Sequence, residues 1–372
     1  MNNNKKKKFT AIDAFSGAGG LSLGLIQAGF DIKFAFDYDA WAVESYNNYF
    51  AGNHCHQLDA TKIKGGEILK QIGLKRGDLD LFAGGPPCQG FSRQKRGAEL
   101  GDNRNNLVLD FARIVNELFP KAFLLENVDM LGLKRGEKFF NKTKKLLKEY
   151  ELFPHFYNSA DYNVPQTRVR FITIGIRKDV KLKYEIPKPT AKRWKTIGEV
   201  IGDLPEPPSD YTAHPKILNH QLAKISKMNE IRFSHVPQGG GWKDIPFKLR
   251  LECHKVVNTA KGGWPDVYGR LEWTGQCPTI TGGFDSFTRG RYGHPKSNRA
   301  ITAREAALIQ GFPLDFEFKG NRGEVRKQIG NAVPPPLAKS IGKSICEILD
   351  KHYQSKLAKS SVSIKKLESV LT

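Results

Sequence analysis

The sequence predicts an α/β protein built on a doubly wound, mostly parallel sheet, with a smaller, irregular β-rich domain set into it. Three observations carry this. Over the first half, apolar strand-like runs alternate with helical runs, the pattern of a parallel sheet covered on both faces. The first strand-like run passes through a Gly-rich turn directly into a helix, as in a Rossmann-like nucleotide fold. Near Lys181 the texture changes, and residues 186–298 become rich in Pro, Gly, Trp and His without a sustained helical period. A structureless loop of that length is uncommon, so the stretch reads as a second unit. A chain of 372 residues is long enough for both.

The elements follow in order. "FTAIDAF" reads as a strand, "GLSLGLIQAG" as a helix ending on Gly29, "DIKFAF" as a strand and "DAWAVESYNNYF" as a helix. "LDLFA" is a short buried strand, "NLVLDFARIVNELF" an amphipathic helix and "KAFLLENV" another buried strand. The helix "EKFFNKTKKLLKEY" and the strand "RVRFITIGI" complete the first part, residues 1–185. From Ala300 the helical period returns in "TAREAALIQGF", "EVRKQIG" and "PPPLAKSIGKSICEILDKHY", the last opening on prolines. Residues 299–353 are therefore read as returning to the first domain. The Lys- and Ser-rich segment 354–372 is read as a disordered basic tail, and "MNNNKKKKF" as a disordered arm.

Charge narrows the function. Lys and Arg number 59 against 38 acidic residues, a formal net charge of +21, which attracts polyanions and nucleic acid first among them. Basic residues crowd Arg93 to Arg96, Arg168 to Arg170 and Arg289 to Arg299, so the termini do not account for the excess. No apolar run reaches bilayer length and no secretory signal core is present, so no membrane partner is expected. Five cysteines without metal-type spacing suggest an intracellular protein with free thiols. The pairs Cys253–His254 and Cys277–His294 are read as structural, and no metal is assigned.

In "DAFSGAGGLSLGL", Gly17, Gly19 and Gly20 allow a tight turn and close approach of a ligand to the backbone. Asp37 follows about 20 residues later, where a carboxylate meets ribose hydroxyls in this architecture. Tyr38 is placed to stack on an adenine, Asp59 in "HQLDAT" to accept from its amino group, and Asp39 to cap a helix. Ribose and adenine fit NAD and S-adenosylmethionine equally well. The departure from G-x-G-x-x-G weakens a pyrophosphate reading.

"GGPPCQGFSRQ" discriminates. Cys88 stands at the carboxyl end of a strand, stiffened by Pro86 and Pro87 and followed by Arg93, Lys95 and Arg96. A cationic field of this kind favours the nucleophilic thiolate. Glu126 ends the next strand on the same edge, where a carboxylate is costly unless it binds or reacts. In "PQTRVR" the two-residue period puts Arg168 and Arg170 on one face, with Val169 and Phe171 pointing inward.

With these segments in order, the chain resembles the cytosine-5 DNA methyltransferases from Ile12 to about Ile345: "DAFSGAGG", "FDYD", "GGPPCQGFS", "ENV", "QTRVR", "RAITAREAALIQGFP" and "QIGNAVPPPLA". The resemblance implies that Cys88 adds to carbon 6 of cytosine, Glu126 stabilises ring nitrogen 3, Arg170 binds the cytosine carbonyl and Arg168 supports Arg170 or the catalytic loop. It implies S-adenosylmethionine as methyl donor, lined by Phe15, Gly17, Gly20, Asp37, Tyr38, Asp59, Pro87, Leu107, Asn331 and Val333. Segment 92–106 resembles the family's mobile loop, which closes over a flipped-out base, and 186–298 stands where the family's target-recognition domain does. Double-stranded DNA is the expected partner of a monomeric enzyme, with a cognate restriction endonuclease acting separately. Two rivals stay open: the branch of the family that methylates transfer RNA, and a DNA-binding protein that keeps the fold without the chemistry. A dehydrogenase has no use for "PPCQGFS".

Overall fold

The computed structural model describes residues 8–52, 54–87, 106–128, 133, 137–257 and 266–371. Cys88 and residues 92–105 of the expected mobile loop lie outside them. The strands are β1 (Phe9–Ala14), β2 (Phe30–Asp37), β3 (Cys55–Gln57), β4 (Leu81–Gly84), β5 (Ala122–Val128), β6 (Tyr150–Asn158), β7 (Gln166–Thr167), β8 (Val169–Arg177) and β9 (Cys277–Pro278). The helices are α1 (Gly20–Ala28), α2 (Ala40–Tyr49), α3 (Gly65–Gln71), α4 (Leu107–Leu118), α5 (Glu137–Leu146), α6 (Gly198–Ile201), α7 (Lys227–Ser234), α8 (Glu252–Val256), α9 (Ala303–Ile309), α10 (Arg322–Asn331) and α11 (Pro335–Leu371). Among the described residues no helix is long and apolar enough to cross a membrane.

Seven strands form the main sheet in the order β3-β2-β1-β4-β5-β8-β6. Strands β1 to β5 pair in parallel, and β8 runs antiparallel to both β5 and β6. The two-residue period splits the strands between two cores. Ala11, Leu81, Ala83, Leu124 and Ile174 pack under α1 and α11. Ile12, Phe82, Phe123 and Leu125 pack under α3 and α4. Helix α4 contributes its apolar stripe of Val108, Phe111, Ala112, Val115 and Leu118 to the second core. Asp39 caps α2 as expected, its side chain accepting from the amides of Trp41 and Ala42.

Helices α1 and α11 touch backbone to backbone. A Cβ on Gly24 would lie 2.4 Å from the Pro335 carbonyl oxygen, and one on Gly20 would lie 2.5 Å from that of Val333. Helix α11 continues to Leu371, so the segment read as a disordered tail is helical through that residue. Residues 354–371 contain no glycine or proline to break the helix.

Between residues 186 and 298 the β-rich expectation is not met. Among the described residues the strand content is β9 and isolated bridges of Arg270 with Gly293 and Gly293 with Ala300. Prolines and glycines break the chain into turns too short for a ladder. Buried arginine replaces the ladder. Arg270 donates to the carbonyls of Phe233, Val236, His294 and Ser297 and to Asn298 Oδ1, and lies 4.1 Å from the Phe233 ring centroid. Around it Phe233 stacks on Phe287 at 4.2 Å, with Trp242, Ile245 and Tyr268 closing the cluster.

Beneath the Gly-rich turn sits a buried acid. Asp13 Oδ2 accepts from Ser22 Oγ at 2.6 Å, and the Tyr46 hydroxyl donates to the same Ser22 oxygen at 2.9 Å. Asp13 Oδ1 has no hydrogen-bond partner among the described residues, and burial pushes the carboxyl up to about 7. A raised carboxyl contributes stability that is complete below the unfolded-state value near pH 4 and is lost as pH rises through about 7. Asp13→Asn should therefore abolish a pH-dependent loss on the order of 3 kcal/mol between pH 4 and 8. Melting the parent and variant across that range checks this; parallel curves would overturn it.

Candidate active site

The parallel strands end together. Ala14 pairs with Gly84, Gly84 pairs with Leu125, and Glu126 is the next residue outward on β5. The two glycines of "GGPP" have separate steric causes. A Cβ on Gly84 would lie 2.5 Å from the Ala14 carbonyl oxygen, whereas one on Gly85 would lie 2.8 Å from Glu126 Oε2. Asn127 then donates from Nδ2 to the Pro86 carbonyl at 3.1 Å. The "ENV" strand thus holds the backbone two residues before Cys88. Glu126 is buried, and its Oε1 lies 3.1 Å from Arg170 Nε. Pairing offsets the desolvation of both charges, and removing either partner would leave the other buried alone.

Arg168 is 1% exposed, and its Nη1 donates to the Ile280 carbonyl at 3.0 Å. Gln166 Oε1 accepts from the Ile280 amide at 2.8 Å, so residues two apart grip both polar groups of one residue. Gln166 Nε2 donates to Gln310 Oε1 at 2.8 Å, and Gln310 Nε2 to the Ile329 carbonyl at 2.6 Å. Sequence reading missed both glutamines; the only available signal was an amide inside the apolar run "ALIQGF". Burial, then the neighbouring Arg170, push the Arg168 pKa well down, against the pull of Glu126. Its Nε has no hydrogen-bond partner.

The expected inward position of Val169 is corrected. It is 39% exposed, while Phe171 is buried against Phe140 and Phe156 as expected. The Arg168 amide donates to the Gln166 carbonyl, a tight turn between β7 and β8 that interrupts the strand period.

The candidate cofactor residues gather at the same edge. Phe15 has a left-handed φ of 55° and packs against Phe36, with ring centroids 5.9 Å apart. Gly17 has φ 54°, and nothing lies within 4 Å of where its Cβ would be. Its amide donates to Asp37 Oδ2 at 2.8 Å, and the Asp39 amide to Asp37 Oδ1 at 2.9 Å. Burial raises the Asp37 pKa against these bonds. Tyr38 is 75% exposed, and its carbonyl accepts from Gln57, tying the ends of β2 and β3. Asp59 accepts from the amide and hydroxyl of Thr61, which lower its pKa. Pro87 is exposed and Leu107 opens α4 against the second core. Asn331 is the exposed end of α10, and Val333 is buried with its carbonyl beneath Gly20. Among the described residues, no group of three His, Cys, Asp or Glu could hold a metal ion.

The basic stripe Arg289 to Arg299 divides by role. Arg291 Nη1 donates to the carbonyls of Gly239 and Gly240, and Arg299 pairs with Glu206 and Glu305, each at 2.8 Å. Both are committed to the fold. Arg289 and Lys296 are exposed, with no side-chain partner among the described residues.

Gly85→Ala should displace Glu126 and lower turnover about 100-fold, the scale of an ångström-sized misplacement. Its melting temperature should stay within a few degrees of the parent's. Parental turnover in this variant would show that the Gly85–Glu126 approach does not matter.

A family model described as C-5 cytosine-specific DNA methylase matches residues 9–347. The chain is 34% identical over 359 residues to the type II methyltransferase M.PspPI of Psychrobacter sp., covering 92% of this chain and 80% of that protein. It is 33% identical over 350 residues to the type II methylase M.HgiDII of Herpetosiphon aurantiacus, covering 91% and 95%. Among solved structures, a prophage-encoded E. coli protein described as a DNA modification methyltransferase superposes with TM-score 0.69 at 29% identity, covering 92% of this chain and all of that one. The Entamoeba histolytica methyltransferase EhMeth shares the fold at 16% identity, with TM-score 0.62 over 92% of this chain and 99% of that one. The ordered strand ends, the Glu126–Arg170 pair and these similarities agree: the chain belongs to the C-5 cytosine-specific DNA methylase family and is a DNA cytosine-5 methyltransferase.

Proposed function

We propose that this enzyme transfers a methyl group from S-adenosylmethionine to carbon 5 of a cytosine flipped out of a specific double-stranded DNA sequence, through a transient covalent bond to Cys88. The observation that carries the reading is the buried Glu126–Arg170 pair seated against Gly85, directly before the Pro86–Pro87 step that precedes Cys88 in the sequence. Named type II methyltransferases among the relatives support a role as the modification partner of a separate restriction endonuclease.

The chemistry assigns each group a task. Carbon 5 of cytosine is a poor nucleophile until a thiolate adds at carbon 6 and converts the ring to an enamine. The Cys88 sulfur forms that bond. Electron density moves toward ring nitrogen 3, where Glu126 donates a hydrogen bond or proton, and Arg170 holds both Glu126 and the cytosine carbonyl. Arg168, bonded to the Ile280 carbonyl, supports Arg170 or the catalytic loop. The donor supplies an electrophilic sulfonium methyl to carbon 5. Loss of the carbon 5 proton then expels the Cys88 thiolate and restores the aromatic ring. A stacked base could not reach these groups, so the target must leave the duplex.

The residues present suit the donor. The space above Gly17 is open, Tyr38 offers an exposed aromatic face, and Asp37 is fixed by two backbone amides where a ribose would meet it. In this reading Phe15, Gly20, Asp59, Pro87, Leu107, Asn331 and Val333 complete the lining.

Cys88→Ala should abolish methyl transfer while leaving duplex affinity within a few-fold of the parent. Cognate duplex carrying 5-fluorocytosine should become covalently attached to the parent in the presence of donor, and not to the variant. Methyl transfer by the variant at the parental rate would remove Cys88 from the mechanism. A preference for transfer RNA over duplex DNA as methyl acceptor would overturn the substrate assignment.

A further inference from the structure

Helix α10 carries Arg322 and Arg326 on one face, four residues apart. Both close on Asp285, which reaches them from the loop that follows Ile280. Arg322 Nε lies 2.5 Å from Asp285 Oδ2, its Nη2 donates to the Asp285 carbonyl, and Arg326 Nη1 lies 3.4 Å from both carboxylate oxygens. Asp285 is enclosed, with 7% of its side chain exposed, while 53% of Arg322 and 29% of Arg326 face solvent. Arg326 Nε has no hydrogen-bond partner among the described residues. One carboxylate against two guanidinium groups leaves a positive charge. The neighbouring acid, Glu324, is occupied by Lys327 at 3.0 Å.

Arg289 adds to the excess. It lies over Gly283, whose Cβ would come 3.0 Å from Arg289 Cδ, and it is exposed with no side-chain partner among the described residues. The loop itself is anchored at two points. Arg168 and Gln166 grip Ile280. Gly330, in the last turn of α10, admits Thr281 and Gly282 so closely that a Cβ there would lie 2.5 Å from their backbone. Asp285 is five residues past Ile280, so the cluster lies at most about 18 Å from the residue held by Arg168. That distance is about five base-pair steps along a duplex.

We propose that Arg322 and Arg326 on α10, together with Arg289, clamp the DNA phosphate backbone beside the target cytosine, with the enclosed Asp285 fixing the two helix-borne guanidinium groups as a preorganised fork. The inference rests on the reading of duplex DNA as the substrate. It assigns part of DNA binding to a helix of the cofactor-bearing half, in addition to the 186–298 region. Planar guanidinium groups match phosphate oxygens in geometry, and holding them in place beforehand lowers the entropy lost on binding.

Duplex binding by the full-length protein, measured against salt, separates the possibilities. Arg289→Gln alters a side chain with no hydrogen-bond or ion-pair partner among the described residues, and Arg326→Gln leaves Arg322 to hold Asp285. The double variant should bind cognate duplex at least tenfold more weakly at low salt. Each lost phosphate contact should flatten the slope of log K against log salt by about 0.9. A double variant that keeps the parental affinity and slope, with only its melting temperature lowered, would show the cluster to be structural and overturn the proposal. A parent whose binding does not respond to salt would fail earlier, at the reading of the substrate itself.

Discussion

A carboxylate held in a nearly dry position at the end of a parallel sheet governs the catalytic edge. Glu126 cannot remain there unpaired, so Arg170 must come to it from the antiparallel strand β8. Gly85 must lack a side chain to admit it, and Asn127 turns the same strand end into a clamp on Pro86. Three segments distant in sequence are in this way one mechanical unit. The backbone of Gly85 and Pro86, just ahead of Cys88 in the sequence, is held by a neighbouring strand as much as by its own.

The second constraint is the way a ladder-poor region keeps its polar backbone satisfied. Between residues 186 and 298 carbonyl groups that a sheet would pair are met by guanidinium groups. Arg270 serves four carbonyls, and Arg291 bridges Gly239 and Gly240. Arg304, from α9, does the same for Leu218, Pro313 and Phe316. Part of the +21 net charge is therefore structural and faces inward. The remainder, on residues such as Arg289 and Lys296, is what an approaching polyanion meets.

Much of this was legible in the sequence because the signals were local. Alternating apolar runs gave the parallel sheet, Asp39 announced its own helix cap, and "LLENV" put Glu126 at a strand end. What escaped depends on long-range geometry. Nothing near Asp13 announces a buried, half-satisfied carboxyl, because its partner Ser22 and the Tyr46 that in turn bonds Ser22 come from two different helices. The Gln166–Gln310 bond spans 144 positions. Val169 defied the strand period because a tight turn at Arg168, invisible in hydrophobicity, separates β7 from β8. The 186–298 region was read as β-rich from its composition, which does not distinguish ladder hydrogen bonds from arginine-to-carbonyl ones.

The intimate seating of α1 on α11 also sets an order of events during synthesis. The turn that shapes the Gly17–Gly20 loop leaves the ribosome well before the backbone it rests on, residues 333–339, which follows only after the whole sheet. A nascent chain carries the strands of the sheet long before it carries the floor beneath that loop. The loop therefore cannot settle onto its floor until that later backbone has been made, and a message broken between the two yields a protein whose Gly-rich turn has nothing beneath it.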